Sequence, residues 1–171
     1  AKSSVDDKKK VLDLLEALVT SYPNDTGLLF TAANLYFQVS SLDKGLKAIN
    51  VLLEESVNPK RLSLKTRILI AKGEVENAKK LLRSYLSENA KELGLRVLLA
   101  QILFDQRDFE KAKVQYQAAL NLRPNDGSLL LSLAIVFLQQ ENDEDAEKIL
   151  KRMIRSSLRV DDAYYHLAGI M

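Results

Sequence analysis

The sequence contains no cysteine, which excludes disulfide bonds, catalysis by a thiolate and metal sites with cysteine ligands. Glycine and proline are scarce, with 6 and 3 residues, so there is little room for disordered linkers. The formal net charge of +2 is small and implies no strong attraction to nucleic acid or anionic lipid. The longest apolar run, residues 129–138, is interrupted by Ser132 and is too short to span a bilayer. The 171 residues are enough for one domain with a hydrophobic core.

Residues arranged for catalysis are also missing. The only histidine is His166, and no nucleophile or orienting group accompanies it, which favours a partly exposed helical side chain. There is no glycine-rich phosphate loop, and no histidine pair or glutamate–histidine pair has metal-ligand spacing. We therefore predict a protein that is not an enzyme and that binds no cofactor and no metal.

Two charged segments have a simpler explanation than ligand binding. The acidic run 141–145 lacks the glycine and the distal glutamate of a calcium loop, and its place between two predicted helices favours helix capping. The basic run Lys151, Arg152, Arg155 and Arg159 lies toward the end of the following helix, where the helix dipole favours cations. Because this run is short and contains no aromatic residues, we predict no nucleic-acid partner.

The sequence does not identify a compartment. It begins at Ala1, with no initiator methionine and no apolar core of a signal peptide. This start predicts a cut inside a longer protein or just after a removed segment. We expect no membrane insertion, and a soluble protein of the cytoplasm or of the bacterial periplasm agrees with these features.

A repeat of 33 or 34 residues runs through almost the whole chain. Two columns of mostly small residues and one column of large apolar residues recur at this spacing. Repeats of this length are typical of stacked supersecondary units, in which small residues let two helices approach closely and large residues fill the groove toward the next pair. The columns are Ala33, Thr66, Ala100, Ala134 and Ala168; Gly45, Ala78, Ala112 and Ala146; and Leu15, Ile49, Leu82, Tyr116 and Leu150.

Each repeat predicts two amphipathic helices joined by a tight turn. In residues 93–126, apolar residues recur every three or four positions, which is the helical signature. Asp108 and Asp126 are placed to cap the helices that follow them. No segment shows sustained alternation of apolar and polar residues, so we predict no strands. The predicted helices cover residues 5–21, 26–39, 42–56, 60–72, 75–88, 93–106, 109–122, 127–140, 143–157 and 161–171.

With these residues in phase, the chain resembles a tetratricopeptide repeat array. The family motif sets small and large residues at fixed positions of a helix pair, and five in-phase copies extend over nearly the whole chain. The resemblance implies an all-α, right-handed α-solenoid of stacked antiparallel helix pairs. The motif residues are clearest in two units: Arg96, Leu99, Ala100, Leu103, Ala112, Tyr116, Ala119 and Pro124 in the third, and Leu130, Leu133, Ala134, Phe137, Ala146, Leu150 and Met153 in the fourth.

We predict that residues 1–171 form a single array of such repeats. Residues 5–22 match a second helix without its first helix, and residues 161–171 match the first helix of an incomplete repeat. These unpaired end helices predict that the array belongs to a longer superhelix. The complete repeats are predicted at 26–58, 59–92, 93–126 and 127–160.

In this family the first helix of each pair lines a concave surface, which is the usual binding site. The resemblance, combined with helical spacing along each first helix, predicts a mostly apolar groove with Arg67 as its one interior cation. Such a groove suits an amphipathic helix or an apolar stretch of extended peptide. The predicted partner-binding residues are Phe30, Asn34, Phe37, Arg67, Val97, Gln101, Phe104, Leu131, Ile135 and Leu138, and Ser63, Ile70 and Tyr165 belong to the same face.

One known binding mode of the family is not expected here. Members that hold chaperone C-terminal tails use a clamp of lysine, asparagine and arginine. The corresponding positions hold Phe30 with Asn34, and Val97 with Gln101, so the clamp is absent.

The predicted function is a non-enzymatic scaffold that holds a protein or peptide partner in this groove. The alternative is a structural role, in which the array associates with itself or packs against a neighbouring domain, or in which another part of the parent protein fills the groove. A catalytic domain outside this sequence is the weakest alternative.

Two details stay open at this point. Arg67 contacts either an acidic or carbonyl group of the partner or an acidic residue of the array, for example Asp105. The C-terminal helix carries an apolar stripe that predicts either a homodimer through this helix or coverage by another part of the parent protein.

Overall fold

The structure is a computed structural model that describes residues 2–170, with side chains from residue 9 onward. This part of the chain folds into ten α-helices and contains no β-strand. The helices are α1 Lys2–Ser21, α2 Thr26–Gln38, α3 Leu42–Glu55, α4 Pro59–Ala71, α5 Val75–Glu88, α6 Leu93–Asp105, α7 Phe109–Leu122, α8 Gly127–Gln139, α9 Asp143–Arg155 and α10 Val160–Ala168.

Eight of the predicted helices agree with the observed ones to within two residues at each end. The two terminal helices differ more. α1 begins at Lys2 rather than at residue 5, because the prediction started from the first apolar residue and polar residues extend the helix before it. α10 ends at Ala168, with Gly169 as its C-cap, rather than at residue 171, and Met171 lies outside the described residues.

The predicted side-chain caps at Asp108 and Asp126 are confirmed. The Asp108 carboxylate accepts a hydrogen bond from Lys111 N, and Asp126 accepts from Ser128 N and Leu129 N. Each cap satisfies backbone N–H groups that have no partner inside the helix. The turn between α8 and α9 is capped by the Asn142 amide rather than by a carboxylate, while Asp143, Glu144 and Asp145 occupy the first turn.

The first helix of each complete pair ends with a residue in the left-handed backbone conformation. These residues recur with the repeat, and their φ values lie between 56° and 80°. After α6, Arg107 N donates to Phe104 O at 2.8 Å and Asp108 N donates to Leu103 O at 2.9 Å. These two bonds form the Schellman motif, which reverses the chain and begins the second helix within three residues. The left-handed residues are Ser40, Gly73, Arg107 and Glu141.

The columns of small residues mark close helix contacts. Ala33, Thr66, Ala100 and Ala134 have no exposed surface. In the first pair a Cβ added to Gly45 would lie 3.4 Å from the backbone oxygen of Ala33, so α2 and α3 pack almost backbone to backbone. The same pairing joins α6 with α7 and α8 with α9.

The chain divides into two compact units, Ala1–Leu82 and Arg83–Met171, and the division falls inside α5. In the first unit, α2, α3 and α4 enclose a core that includes Ala33, Ile49, Leu52 and Ile68. In the second unit, α8, α9 and α10 enclose a core that includes Leu150, Met153 and Ala163. The described part of the chain is therefore all-α, an α-solenoid of helix pairs, and within each unit neighbouring helices such as α2 and α3, or α8 and α9, cover one another's apolar faces. None of the described helices is both long and apolar enough to cross a membrane.

Candidate functional site

The predicted binding residues of the first unit lie on two packed helices, and we call them the α2–α4 surface. Phe30, Asn34 and Phe37 follow one another along α2, and Arg67 lies on α4. Both phenylalanines are half-buried and pack on the core of this unit. Part of each ring therefore stays open to solvent, which leaves apolar area that a partner can cover.

The guanidinium of Arg67 lies over the ring of Phe37. Its Cζ is 4.9 Å from the ring centroid, within the range of a cation–π interaction. Arg67 is itself exposed, so its N–H groups stay accessible while its charge rests on the ring. This arrangement places a cation beside a partly exposed apolar side chain.

Asn34 is bound to its own helix. Its Nδ2 donates a hydrogen bond of 2.9 Å to Phe30 O, one turn earlier. This bond holds the amide group against α2, between the two phenylalanines. Asn34 therefore presents a positioned polar group rather than a freely rotating one.

The predicted binding residues of the second unit lie on α6 and α8, and we call them the α6–α8 surface. Val97 and Phe104 on α6 are half-buried, and Gln101 between them is exposed. Ile135 and Leu138 on α8 are half-buried as well. Like the surface of the first unit, this surface combines partly exposed apolar residues with a polar side chain.

Leu131 is the predicted binding residue with the least free surface. Only 8% of it is exposed, and it belongs to the core cluster that includes Leu130 and Ala163. Leu131 lies one repeat after Val97 of α6, and for this reason the sequence predicted it as a binding residue as well. The packing of α10 places Ala163 in the same core cluster, and this packing is not visible in a pattern confined to one helix.

An aromatic pair at the end of the α6–α8 surface was not predicted. The rings of Phe104 and Phe109 are tilted by 59° with centroids 5.5 Å apart. Phe109 is the first residue of α7, and the Schellman turn after α6 brings it back beside Phe104. Two phenylalanines on either side of such a turn are the sequence signal that could have identified the pair.

One position is large, apolar and partly exposed in every complete repeat. Phe37, Ile70, Phe104 and Leu138 follow one another at spacings of 33, 34 and 34 residues, each near the end of a first helix. All four are half-buried. Each of these large apolar residues keeps part of its surface exposed, and core packing alone does not require this in all four repeats, so the column is a candidate binding feature.

The charged segments are explained by helix ends and ion pairs. Asp145 receives a hydrogen bond from Asn142 Nδ2 and pairs with Lys148, and these contacts lower the pKa of its carboxyl group. Lys151 pairs with Glu147, and Arg152 donates to Pro124 O. Among the described side chains, residues 9–170, no group of three histidine, aspartate or glutamate residues is arranged to hold a metal ion. The ring of His166 packs edge-on against Tyr165.

Comparison with known proteins adds a family and a fold. The model of the tetratricopeptide repeat family matches residues 69–126 and 103–168, together more than half of the chain. No curated protein sequence matches the chain.

Several solved structures have the same fold at low sequence identity. A crystal structure of MamA superposes with a TM-score of 0.72 at 12% identity, over 91% of this chain and 92% of that one. MamA from Desulfovibrio magneticus RS-1 gives 0.69 at 14% identity, over 86% and 84% of the two chains. YrrB, a tetratricopeptide repeat protein with an unusual peptide-binding site, gives 0.68 at 16% identity, over 96% and 85%. At these identities the likeness concerns the fold.

Proposed function

Because the chain belongs to the tetratricopeptide repeat family, whose members are generally protein-interaction scaffolds, we propose that it is a non-enzymatic scaffold that binds an apolar or amphipathic peptide segment of a partner protein. The proposal assigns binding to the α2–α4 and α6–α8 surfaces. The peptide-binding site of the fold relative YrrB agrees with a role of this kind. The division into repeats at 26–58, 59–92, 93–126 and 127–160 stays a prediction.

The observation that carries the proposal is the half-open apolar column Phe37, Ile70, Phe104 and Leu138. An amphipathic helix or an extended segment with spaced apolar residues would bury Phe37 and Ile70 on the α2–α4 side, or Phe104 and Leu138 on the α6–α8 side. Arg67 and Gln101 are exposed polar side chains within the same surfaces, and they would select among apolar segments by hydrogen bonding. Because Leu131 is buried, we expect its neighbours Ile135 and Leu138 to make the contacts on α8.

A peptide library displayed on phage tests this proposal. We expect the wild-type protein to select peptides with apolar residues at helical or alternating spacing. The double variant Phe37→Ala/Phe104→Ala should bind a selected peptide at least about tenfold more weakly, since buried aromatic anchors carry much of the energy of such interfaces. The matched control is Val57→Ala/Val114→Ala, which removes two exposed valines outside both surfaces and should leave the affinity unchanged. Equal loss in both double variants would contradict the proposed surfaces.

Self-association through α10 is the alternative role, and one observation favours it. Tyr164 is 58% exposed, whereas Leu29, Leu62 and Leu130 at the same repeat position are nearly buried. Ala168 is exposed too, although its counterparts in the other repeats have no exposed surface. A second copy that packs on this face would cover both residues and form a homodimer.

Sedimentation at several protein concentrations distinguishes this alternative. Self-association through α10 predicts a dimer that dissociates in Tyr164→Glu but not in the control Tyr22→Glu, another exposed tyrosine. A wild-type protein that stays monomeric throughout the concentration range would exclude it.

A further inference from the structure

A cavity of about 400 Å³ lies between α1, α2 and α3, inside the unit Ala1–Leu82. No residue of the α2–α4 surface lines it, so it is separate from the binding role proposed above. Cavities of this size are in the range that holds a small molecule or one large side chain. Its walls therefore indicate which ligand it would accept.

Most of the wall is apolar, and Ala48 is the smallest residue in it. Val19 of α1, Leu29 of α2 and Ala48 of α3 line the cavity. At the repeat position of Ala48 the later copies carry Leu81, Gln115 and Ile149. Alanine at this one position leaves room that a larger side chain would occupy.

The rim carries one lysine that has no ionic partner. Lys44 and Lys47 of α3 both line the cavity, and Lys44 pairs with Glu16 of α1. Lys47 makes no ion pair with any described residue and is exposed. The cavity mouth thus holds one uncompensated positive charge next to an apolar interior, which complements a ligand with one negative charge.

Tyr36 supplies a polar group in the wall. Only 4% of this residue is exposed, and it lines the cavity. Burial raises the pKa of Tyr36, so the phenol keeps its proton and can donate it in a hydrogen bond. The equivalent positions in the other repeats hold Leu69, Leu103 and Phe137, which have no hydroxyl.

We propose that this cavity binds a carboxylate carried on an apolar body, either a free apolar carboxylic acid or the C-terminal residue of a peptide. The apolar body would fill the space over Ala48 and contact Val19 and Leu29. The carboxylate would lie at the mouth beside Lys47 and accept the hydrogen bond that Tyr36 offers. Val51, which is 45% exposed at the rim, would be covered as well.

Titration of the full chain with N-acetylphenylalanine, followed by NMR, tests the proposal directly. We expect saturable shifts centred on Tyr36, Lys47 and Ala48. N-acetylphenylalaninamide has the same apolar body without the charge and should bind about fivefold more weakly, as expected for the loss of one exposed charge pair. Equal binding of acid and amide, or shifts spread evenly over the surface, would overturn the proposal.

Three variants and one control test the assigned residues. Ala48→Leu fills the cavity and should abolish binding, and Lys47→Gln should weaken the acid to the level of the amide. Tyr36→Phe removes the hydroxyl and should also weaken binding. This variant still tests the proposal if Ala48→Leu fails to fold. Lys80→Gln changes the repeat counterpart of Lys47 and should bind like the wild type. A folded Ala48→Leu that still binds at wild-type affinity would exclude this cavity.

The two sources of the carboxylate are distinguished by a longer peptide that ends in phenylalanine. Tighter binding of this peptide than of N-acetylphenylalanine, lost in its C-terminal amide, indicates a peptide terminus. Binding no tighter than that of the capped amino acid indicates a free carboxylic acid. If neither the peptide nor the capped amino acid binds, the proposal is wrong.

Discussion

The Arg67 guanidinium stacks on the Phe37 ring, with 4.9 Å between Cζ and the ring centroid. The two residues come from different helices, α2 and α4, and both were predicted as binding residues. The flat face of the guanidinium packs on the aromatic ring. Its N–H groups point along the edge of the group and can still donate hydrogen bonds to other acceptors. Of the two roles that the sequence left open for Arg67, this geometry is better suited to contact with a partner carbonyl or carboxylate.

We therefore predict that Arg67→Ala weakens the binding of a selected peptide by about five- to tenfold, with little effect on stability. An exposed cation–π contact contributes only about 0.5–1 kcal/mol to folding, so the melting temperature should change slightly. Arg67→Lys is the matched variant, because it keeps the charge and loses the planar fork. A large fall in stability with unchanged affinity would assign Arg67 a structural role.

Ala112→Leu should strongly destabilise the protein. Ala112 has no exposed surface on α7, which packs closely against α6. The added methyl groups must force the helices apart or strain the neighbouring side chains, at a cost of about 1–3 kcal/mol. Urea denaturation measures this cost. The control is Ala17→Leu on the exposed side of α1, which should change the midpoint little, and an equal midpoint in the two variants would contradict close packing at Ala112.

Thr66→Val should make the protein more stable. Thr66 has no exposed surface, and its Oγ1 has no hydrogen-bond partner, so the folded state buries an unsatisfied hydroxyl. Valine has nearly the same shape without that group, and the expected gain is about 1 kcal/mol. Thr31→Val is the control, because the exposed Thr31 hydroxyl donates to Gly27 O and its removal brings no such gain. A destabilised Thr66→Val would show that the hydroxyl has a partner after all.

Gly73→Ala and Gly94→Ala should shift stability in opposite directions. A Cβ at either position meets no atom within 4 Å, so neither change produces a clash. Gly73 has φ of +80°, where a side chain costs about 1–2 kcal/mol. Gly94 is the second residue of α6, where alanine is favoured over glycine by at most about 1 kcal/mol. Thermal unfolding of both variants checks the two signs, and a loss of stability in Gly94→Ala would be unexpected.

The fold could be predicted from the sequence because the same helix caps and the same small residues recur in several repeats. Asp108 and Asp126 gave the helix starts, and small residues such as Ala100 and Ala112 gave the close contacts. The residue pattern of one repeat alone would not identify its helices with certainty. Because several repeats show the same pattern at the same positions, the prediction of helix pairs becomes secure.

The candidate site could be predicted less fully, because it depends on contacts between helices that are distant in sequence. The spacing of α2 identified Phe37 as a surface residue, but only the packing of α4 shows that Arg67 covers its ring. Likewise, the spacing of α8 could not show that Leu131 enters a core with Ala163 of α10. The cavity beside Ala48 arises from three helices at once, so no pattern along one helix reveals it.

The most direct test of the central claim is the affinity of one phage-selected apolar peptide for the wild type, for Phe37→Ala/Phe104→Ala and for the control Val57→Ala/Val114→Ala, measured by calorimetry with circular dichroism to confirm folding. We predict at least about tenfold weaker binding for the phenylalanine variant and unchanged binding for the control. Wild-type affinity in a folded phenylalanine variant would contradict the assignment of binding to the α2–α4 and α6–α8 surfaces.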